Sequence, residues 1–74
     1  MSVTEGKVFE GLNLKDIRLD GQSFTDCDFI GCRFENVLLY ECIFADCRFV
    51  RCEILGLETK KSEVRLLKLE KCAV

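Results

Sequence analysis

Large apolar residues recur at every fifth position through the middle of the chain. From Gln22 to Ile54 they are Phe24, Phe29, Phe34, Leu39, Phe44, Phe49 and Ile54. A second, mostly small residue lies two positions before each of them: Gln22, Cys27, Cys32, Val37, Cys42, Cys47 and Cys52. A period of five matches neither an α-helix nor a single β-strand, whose side-chain periods are about 3.6 and 2. The pattern therefore predicts a repeat architecture.

The same register extends towards both ends of the chain. Phe9, Leu14 and Leu19 continue it backwards, and we expect residues 1–6 to be a short N-terminal lead-in. The tail, residues 57–74, is rich in helix formers, but its apolar residues do not gather on one helical stripe. They keep the five-residue register instead. We therefore predict one domain over residues 7–74, with a capping helix over 57–74 as the alternative.

The quintets resemble the unit of the pentapeptide-repeat family, which reads small residue, Asp or Asn, Leu or Phe, then two variable residues. The segment CDFIG, Cys27 to Gly31, is a close match, and LNLKD, Leu12 to Asp16, is a good one. The resemblance implies an all-β fold, a right-handed quadrilateral β-helix with four repeats to a coil. The chain would form about three and a half coils, with the two apolar registers pointing inward.

Four repeats to a coil would place residues twenty apart directly above each other, about 4.8 Å apart. Aromatic residues then form inward columns, such as Phe29 over Phe49. Opposite charges form outward columns, which contribute up to about 1 kcal/mol for each pair. The predicted pairs are Lys15 with Glu35, Asp28 with Arg48, Arg33 with Glu53, and Glu41 with Lys61.

One outward column breaks this rule, because Asp26 stacks on Asp46. Residues 10–46 hold eight acidic and three basic side chains, a net charge of −5, whereas residues from 57 onwards carry a net charge of +2. We therefore predict a partner-binding acidic ridge in the middle of the chain. Its members are Asp20, Asp26, Asp28, Glu41 and Asp46.

A second unusual surface feature is apolar. Leu38, Tyr40 and Ile43 occupy outward positions near one corner. They are close enough in the predicted coil to form a contact for a partner or for a second copy. Binding through an apolar patch should change little as the salt concentration rises, whereas binding through an acidic ridge should weaken.

The six cysteines of the chain all lie in one register of the repeat. There is no CxxC pair and no histidine to complete a zinc site. We predict buried, reduced thiols, with a disulfide between stacked cysteines as the alternative. No catalytic motif is present, so we predict a protein that is not an enzyme and that needs no cofactor or metal.

The family resemblance implies a function as a DNA mimic, since members of the family act in that way on DNA gyrase. The short length and the acidic ridge lead us to a phage anti-CRISPR protein that inhibits a CRISPR effector. A structural or protein-interaction module and a gyrase-directed DNA mimic are the alternatives. The predicted partner is a DNA-binding protein in the cytoplasm of a bacterial host, without direct binding to nucleic acid or membrane. A homodimer through the C-terminal coil would be about 35 Å long, about one turn of duplex DNA.

Overall fold

The computed structural model describes residues 2–73, which form eleven β-strands and no helix. Most of the strands are short, whereas three of them run for eight residues each. The strands are β1 (Ser2–Glu5), β2 (Val8–Glu10), β3 (Asn13–Asp20), β4 (Gln22–Thr25), β5 (Asp28–Ile30), β6 (Arg33–Tyr40), β7 (Ile43–Ala45), β8 (Arg48–Val50), β9 (Glu53–Lys60), β10 (Glu63–Arg65) and β11 (Lys68–Glu70). None of the described residues belongs to a helix long and apolar enough to cross a membrane.

The strands stack into three parallel sheets that enclose a tube. Their orders are β1-β4-β7-β10, β11-β8-β5-β2 and β3-β6-β9. Every paired residue lies twenty positions from its partner, as in Phe29 with Phe49. The long strands β3, β6 and β9 bend at Asp16, Asn36 and Gly56, so that their sheet covers two sides of the tube. The predicted all-β, four-sided β-helix of about three and a half coils is confirmed.

A left-handed backbone conformation at every fifth residue turns the chain at each corner. Five corner residues are glycines, and nine others have φ between 51° and 54°. This φ range is unfavourable for most residues other than Gly, Asn and Asp. The nine are Asp16, Asp26, Asn36, Glu41, Asp46, Arg51, Lys61, Leu66 and Lys71. The five-residue period of the sequence therefore corresponds to one side of the square and its corner.

The core is a set of stacked side chains inside the tube. The Phe29 ring lies between those of Phe9 and Phe49, at centroid distances of 5.0 and 4.7 Å and interplanar angles of 14° and 11°. The neighbouring column stacks Phe24 on Phe44 at 4.9 Å. Each coil therefore contacts mainly the coils above and below it, as in other solenoids.

The cysteine thiols are free, and five of the six are buried as predicted, while Cys72 is half-buried. Each buried thiol donates towards two backbone carbonyls. That of Cys52, for example, lies 3.2 Å from the Phe29 oxygen and 3.5 Å from the Val50 oxygen. Ser62 makes the equivalent contacts through its hydroxyl. Burial raises the pKa of the Cys47 and Cys52 thiols, so both remain protonated at neutral pH.

Both ends of the described chain belong to the solenoid. Strand β1 pairs with β4, so the segment assigned to a lead-in over residues 1–6 forms part of the first coil from Ser2 to Glu5. At the other end, β10 pairs with β7 and β11 pairs with β8. The alternative of a capping helix is therefore wrong for the described part of residues 57–74. Val74 lies outside the described residues.

Candidate interaction surfaces

Asp26 and Asp46 lie on the same corner of the tube, one coil apart. The residues on both sides of them are paired across the two coils, Thr25 with Ala45 and Asp28 with Arg48. Both aspartates have φ of 54° and exposed side chains. We call these two residues the acidic corner. Neighbouring carboxylates one coil apart repel each other, which costs stability.

Two members of the predicted acidic ridge are paired with arginines. The Arg48 guanidinium lies 3.3 Å from a carboxylate oxygen of Asp28. Arg18 Nε donates to both carboxylate oxygens of Asp20, at 2.9 and 3.0 Å. Such exposed pairs add little stability, but they cancel local charge. Asp20 and Asp28 should therefore attract a cationic partner less strongly than the two aspartates of the acidic corner do.

The remaining ridge residue, Glu41, lies on a different corner from Asp26 and Asp46. Its N–H donates to the Lys60 carbonyl at 2.9 Å. Among residues 2–73, the carboxylates of Asp26, Glu41 and Asp46 form no ion pair within 4.0 Å. The structure thus brings together Asp26 and Asp46 with Asp28 beside them, and separates Asp20 and Glu41 from this group.

The predicted charge pairs are only partly formed. The pair Lys15 with Glu35, at 3.6 Å, is confirmed, and so is the pair Asp28 with Arg48. Arg33 is aligned with Glu53 in neighbouring strands, but its guanidinium contacts Glu35 at 3.0 Å instead. The prediction of an ion pair between Arg33 and Glu53 is therefore wrong.

The predicted pair of Glu41 with Lys61 is also wrong. The Lys61 ammonium instead lies 5.8 Å from the centre of the Tyr40 ring. The Arg18 guanidinium approaches the same ring more closely, at 4.7 Å, within the range of cation–π attraction. The ring of Tyr40 thus has two cations close to it.

The three apolar residues predicted as a contact surface do not lie on one sheet. Leu38 and Tyr40 belong to β6, whereas Ile43 lies in β7, beyond the corner formed by Glu41. All three side chains are half-buried. Their role in binding a partner or a second copy stays a prediction.

The C-terminal end of the tube exposes residues that occupy inward positions. Leu57, Val64 and Leu69 are 40%, 47% and 49% exposed, because no further described coil covers them. A hollow of about 50 Å³ opens there. Its lining is wholly apolar, formed by Phe34, Leu39, Phe44, Phe49, Ile54, Leu57, Val64 and Leu67. We call this surface the open end.

Shrinking side chains along the inward columns explain the hollow. Phe44 is followed one coil later by Val64, and Leu39 is followed by Thr59. The smaller residues leave space that the larger ones fill in the preceding coil. The decrease in side-chain size is visible in the sequence, but the hollow was not predicted from it.

Within the described chain, no group of three or more His, Cys, Asp or Glu side chains is arranged to hold a metal ion. A second depression, near the free edge of β9, is lined by Asn36, Val37, Leu38, Gly56, Leu57 and Glu58. That the protein is not an enzyme stays a prediction.

Comparison with known families identifies the class of protein. The family model described as "Pentapeptide repeat region" matches residues 22–74. The chain therefore belongs to the pentapeptide-repeat family. No curated protein matches it significantly.

Two solved structures of QnrB1, described as a plasmid-mediated fluoroquinolone resistance protein, show similarity to the chain. The trypsin-treated form is 16% identical with a TM-score of 0.35, over 86% of this chain and 48% of that one. The full-length form is 18% identical with a TM-score of 0.30, over 81% of this chain and 33% of that one. The chain thus spans about half or less of each of these two structures.

Proposed function

We propose that this protein is a DNA-mimicking inhibitor that occupies the DNA-binding surface of another protein. The observation that carries the proposal is the acidic corner, where Asp26 and Asp46 stack without a cationic partner among the described residues. Two other columns form ion pairs across coils, Lys15 with Glu35 and Asp28 with Arg48, whereas this column places like charges one above the other despite the cost. A cationic partner would relieve that repulsion.

The spacing of the carboxylates supports mimicry of a nucleic-acid strand. The two carboxylates of the acidic corner lie one coil apart, a rise of about 4.8 Å along the corner. A DNA strand carries one phosphate about every 3.4 Å along its axis. The two spacings are of the same order, so lysine and arginine side chains arranged for phosphates can reach the acidic corner. Charge complementarity of this kind chiefly accelerates association and orients the complex.

DNA gyrase is the first target to test, and a CRISPR effector is the second. Membership of the pentapeptide-repeat family supports gyrase, since this family includes DNA mimics that act on that enzyme. The CRISPR hypothesis adds chain length to the acidic ridge, and the ridge suits either target. Length is a weaker argument than family membership, so gyrase takes the first place.

The test measures displacement of a fluorescently labelled DNA duplex from purified gyrase. We expect the double substitution Asp26→Asn and Asp46→Asn to weaken displacement by about 10-fold, or about 1.4 kcal/mol. Asparagine tolerates the left-handed corner conformation, so the fold should be retained. Displacement by the unsubstituted chain should also weaken steeply as salt rises.

The matched control is the pair Glu10→Gln and Glu58→Gln, which removes the same charge from exposed positions elsewhere. We expect it to have a much smaller effect than the asparagine pair. Equal effects would show that only net charge matters, and the acidic corner would lose its role. The same assay with a guide-loaded CRISPR effector tests the second target.

The open end favours a second candidate role, self-association through the C-terminal coil. The exposed apolar side chains and the free edges of β10 and β11 can be covered by the same surface of another copy. The shortest dimension of the chain is 18 Å, so two copies end to end would span about 35 Å, about one turn of duplex DNA. The proposed homodimer would thus double the length of the mimic.

Sedimentation equilibrium tests this homodimer. We expect the native chain to sediment at twice the monomer mass of 8.5 kDa. Val64→Lys should yield the monomer, because it places a charge in the apolar open end. Leu55→Lys is the control, since Leu55 is similarly exposed at 42% but points outward. A native monomer, or equal effects of the two lysines, would contradict the proposal.

A further inference from the structure

Leu66 is the most exposed large apolar residue in the described part of the chain. Its side chain is 79% accessible, compared with 66% for Val3, the next most exposed. It lies at a corner with φ of 51°. Exposed single leucines are ordinary on protein surfaces. A leucine that is also held in a left-handed conformation is uncommon.

The other corner residues show what this position favours. Apart from glycines, the described corners carry Asp, Asn, Glu, Arg or Lys, as at Asn36 and Arg51. Asn and Asp tolerate the left-handed region, and long charged side chains are well solvated. Leu66 has neither property. It therefore has a conformational cost without a packing contribution inside the tube.

Leu66 lies directly above the acidic corner. The Asp46 N–H donates to the Arg65 carbonyl at 3.0 Å, and Ala45 is aligned with Arg65. At the opposite end of the column, Gly6 precedes Asp26 and adds no side chain. From one end of the tube to the other, this edge thus carries a glycine, two aspartates and a leucine.

The cation nearest to Leu66 in sequence is already engaged. Arg65 Nε lies 3.3 Å from a carboxylate oxygen of Glu63 in the same strand. This pairing leaves the leucine as the distinctive chemical group at the end of the acidic edge. The edge is therefore polar and negative along its middle, and apolar at one end only.

We propose that Leu66 is the apolar anchor of the interface that the acidic corner forms. The partner it fits has a basic cleft, complementary to Asp26 and Asp46, with an apolar pocket at one end. This inference rests on the proposed function. The carboxylates guide and orient the encounter, while burial of the leucine slows dissociation. Because the leucine lies at one end of the edge in each copy, it also fixes where the two carboxylates of that copy lie along the cleft.

The substitution Leu66→Gly separates binding from folding. Glycine suits the corner, so the melting temperature should rise by about 4–8 °C. Displacement of labelled duplex from gyrase should nevertheless weaken by about 10-fold, mainly through faster dissociation. Lys71→Gly is the matched control, since Lys71 lies at another corner of the last coil with φ of 53°. It should raise the melting temperature similarly and leave displacement unchanged.

The outcomes are distinguishable from those for the acidic corner. If Leu66→Gly leaves the displacement of DNA unchanged, Leu66 is not an anchor, and the proposed function still stands. A loss with Leu66→Gly but not with the Asp26→Asn and Asp46→Asn pair overturns the acidic corner, and with it the claim that Leu66 anchors the interface that this corner forms. If Leu66→Gly instead converts a dimer to a monomer, the leucine contacts a second copy, and the inference is wrong. No displacement by the unsubstituted chain overturns the function and the anchor together.

Discussion

Replacing Phe29 by alanine should lower the free energy of unfolding by about 3–5 kcal/mol. The Phe29 ring is 2% exposed and stacks on Phe9 below and Phe49 above. Alanine would leave a cavity between two rings that are held by the backbone ladder and cannot move together. Urea denaturation, monitored by circular dichroism, measures the loss. A domain of this length has a total stability of only about 4–11 kcal/mol, so the substitution would remove a large share of it.

Phe9→Ala is the control for this prediction. Phe9 is only half-buried and has a stacked neighbour on one side of its ring, so its loss should be clearly smaller. Equal losses at Phe9 and Phe29 would show that stacking from both sides adds nothing. An unfolding transition unchanged by Phe29→Ala would contradict the close packing of the tube.

Replacing Gly56 by alanine should cost about 2 kcal/mol of stability. Its φ of 94° lies outside the range of the other corners. A Cβ atom there would lie 3.3 Å from the Asn36 backbone nitrogen, which belongs to the rigid coil below. The backbone would have to shift to accept a methyl group. Thermal and urea denaturation of the variant measure the effect.

Gly31→Ala provides the comparison, because a Cβ atom at Gly31 meets nothing within 4 Å and the φ of 61° is within reach of other residues. Only the left-handed conformation itself disfavours alanine there, at a cost of about 1 kcal/mol. Equal losses of stability for Gly31→Ala and Gly56→Ala would show that the close approach to Asn36 does not destabilise the alanine variant.

The fold could be predicted from the sequence because one repeating constraint produces it. Each quintet needs an inward pair of residues and a corner that tolerates positive φ, so the inward register is visible as every fifth apolar residue. The vertical alignment of Phe29 with Phe49, and of Asp26 with Asp46, follows from four quintets per coil. The tail kept its register because each new coil pairs with the previous one.

The partners of the surface charges could not be predicted in the same way. Alignment places Arg33 beside Glu53, but residues two apart in a strand also point to the same face. Arg33 therefore contacts Glu35, and Arg18 contacts Asp20, in preference to residues in the neighbouring coil. A long, flexible side chain can form ion pairs of similar energy with several acceptors, so the repeat pattern alone does not predict which pair forms.

The corner geometry also has a consequence for how such a chain can change length during evolution. An insertion of twenty residues adds a whole coil and leaves every wall of the tube in place, because paired residues differ by that number. An insertion of one quintet between Asp46 and Leu66 would rotate everything after it by a quarter turn. The leucine would then leave the edge of the two aspartates. Other multiples of five would keep the inward register and the corners but move the surface residues to another side of the tube, whereas lengths not divisible by five would disrupt the core as well.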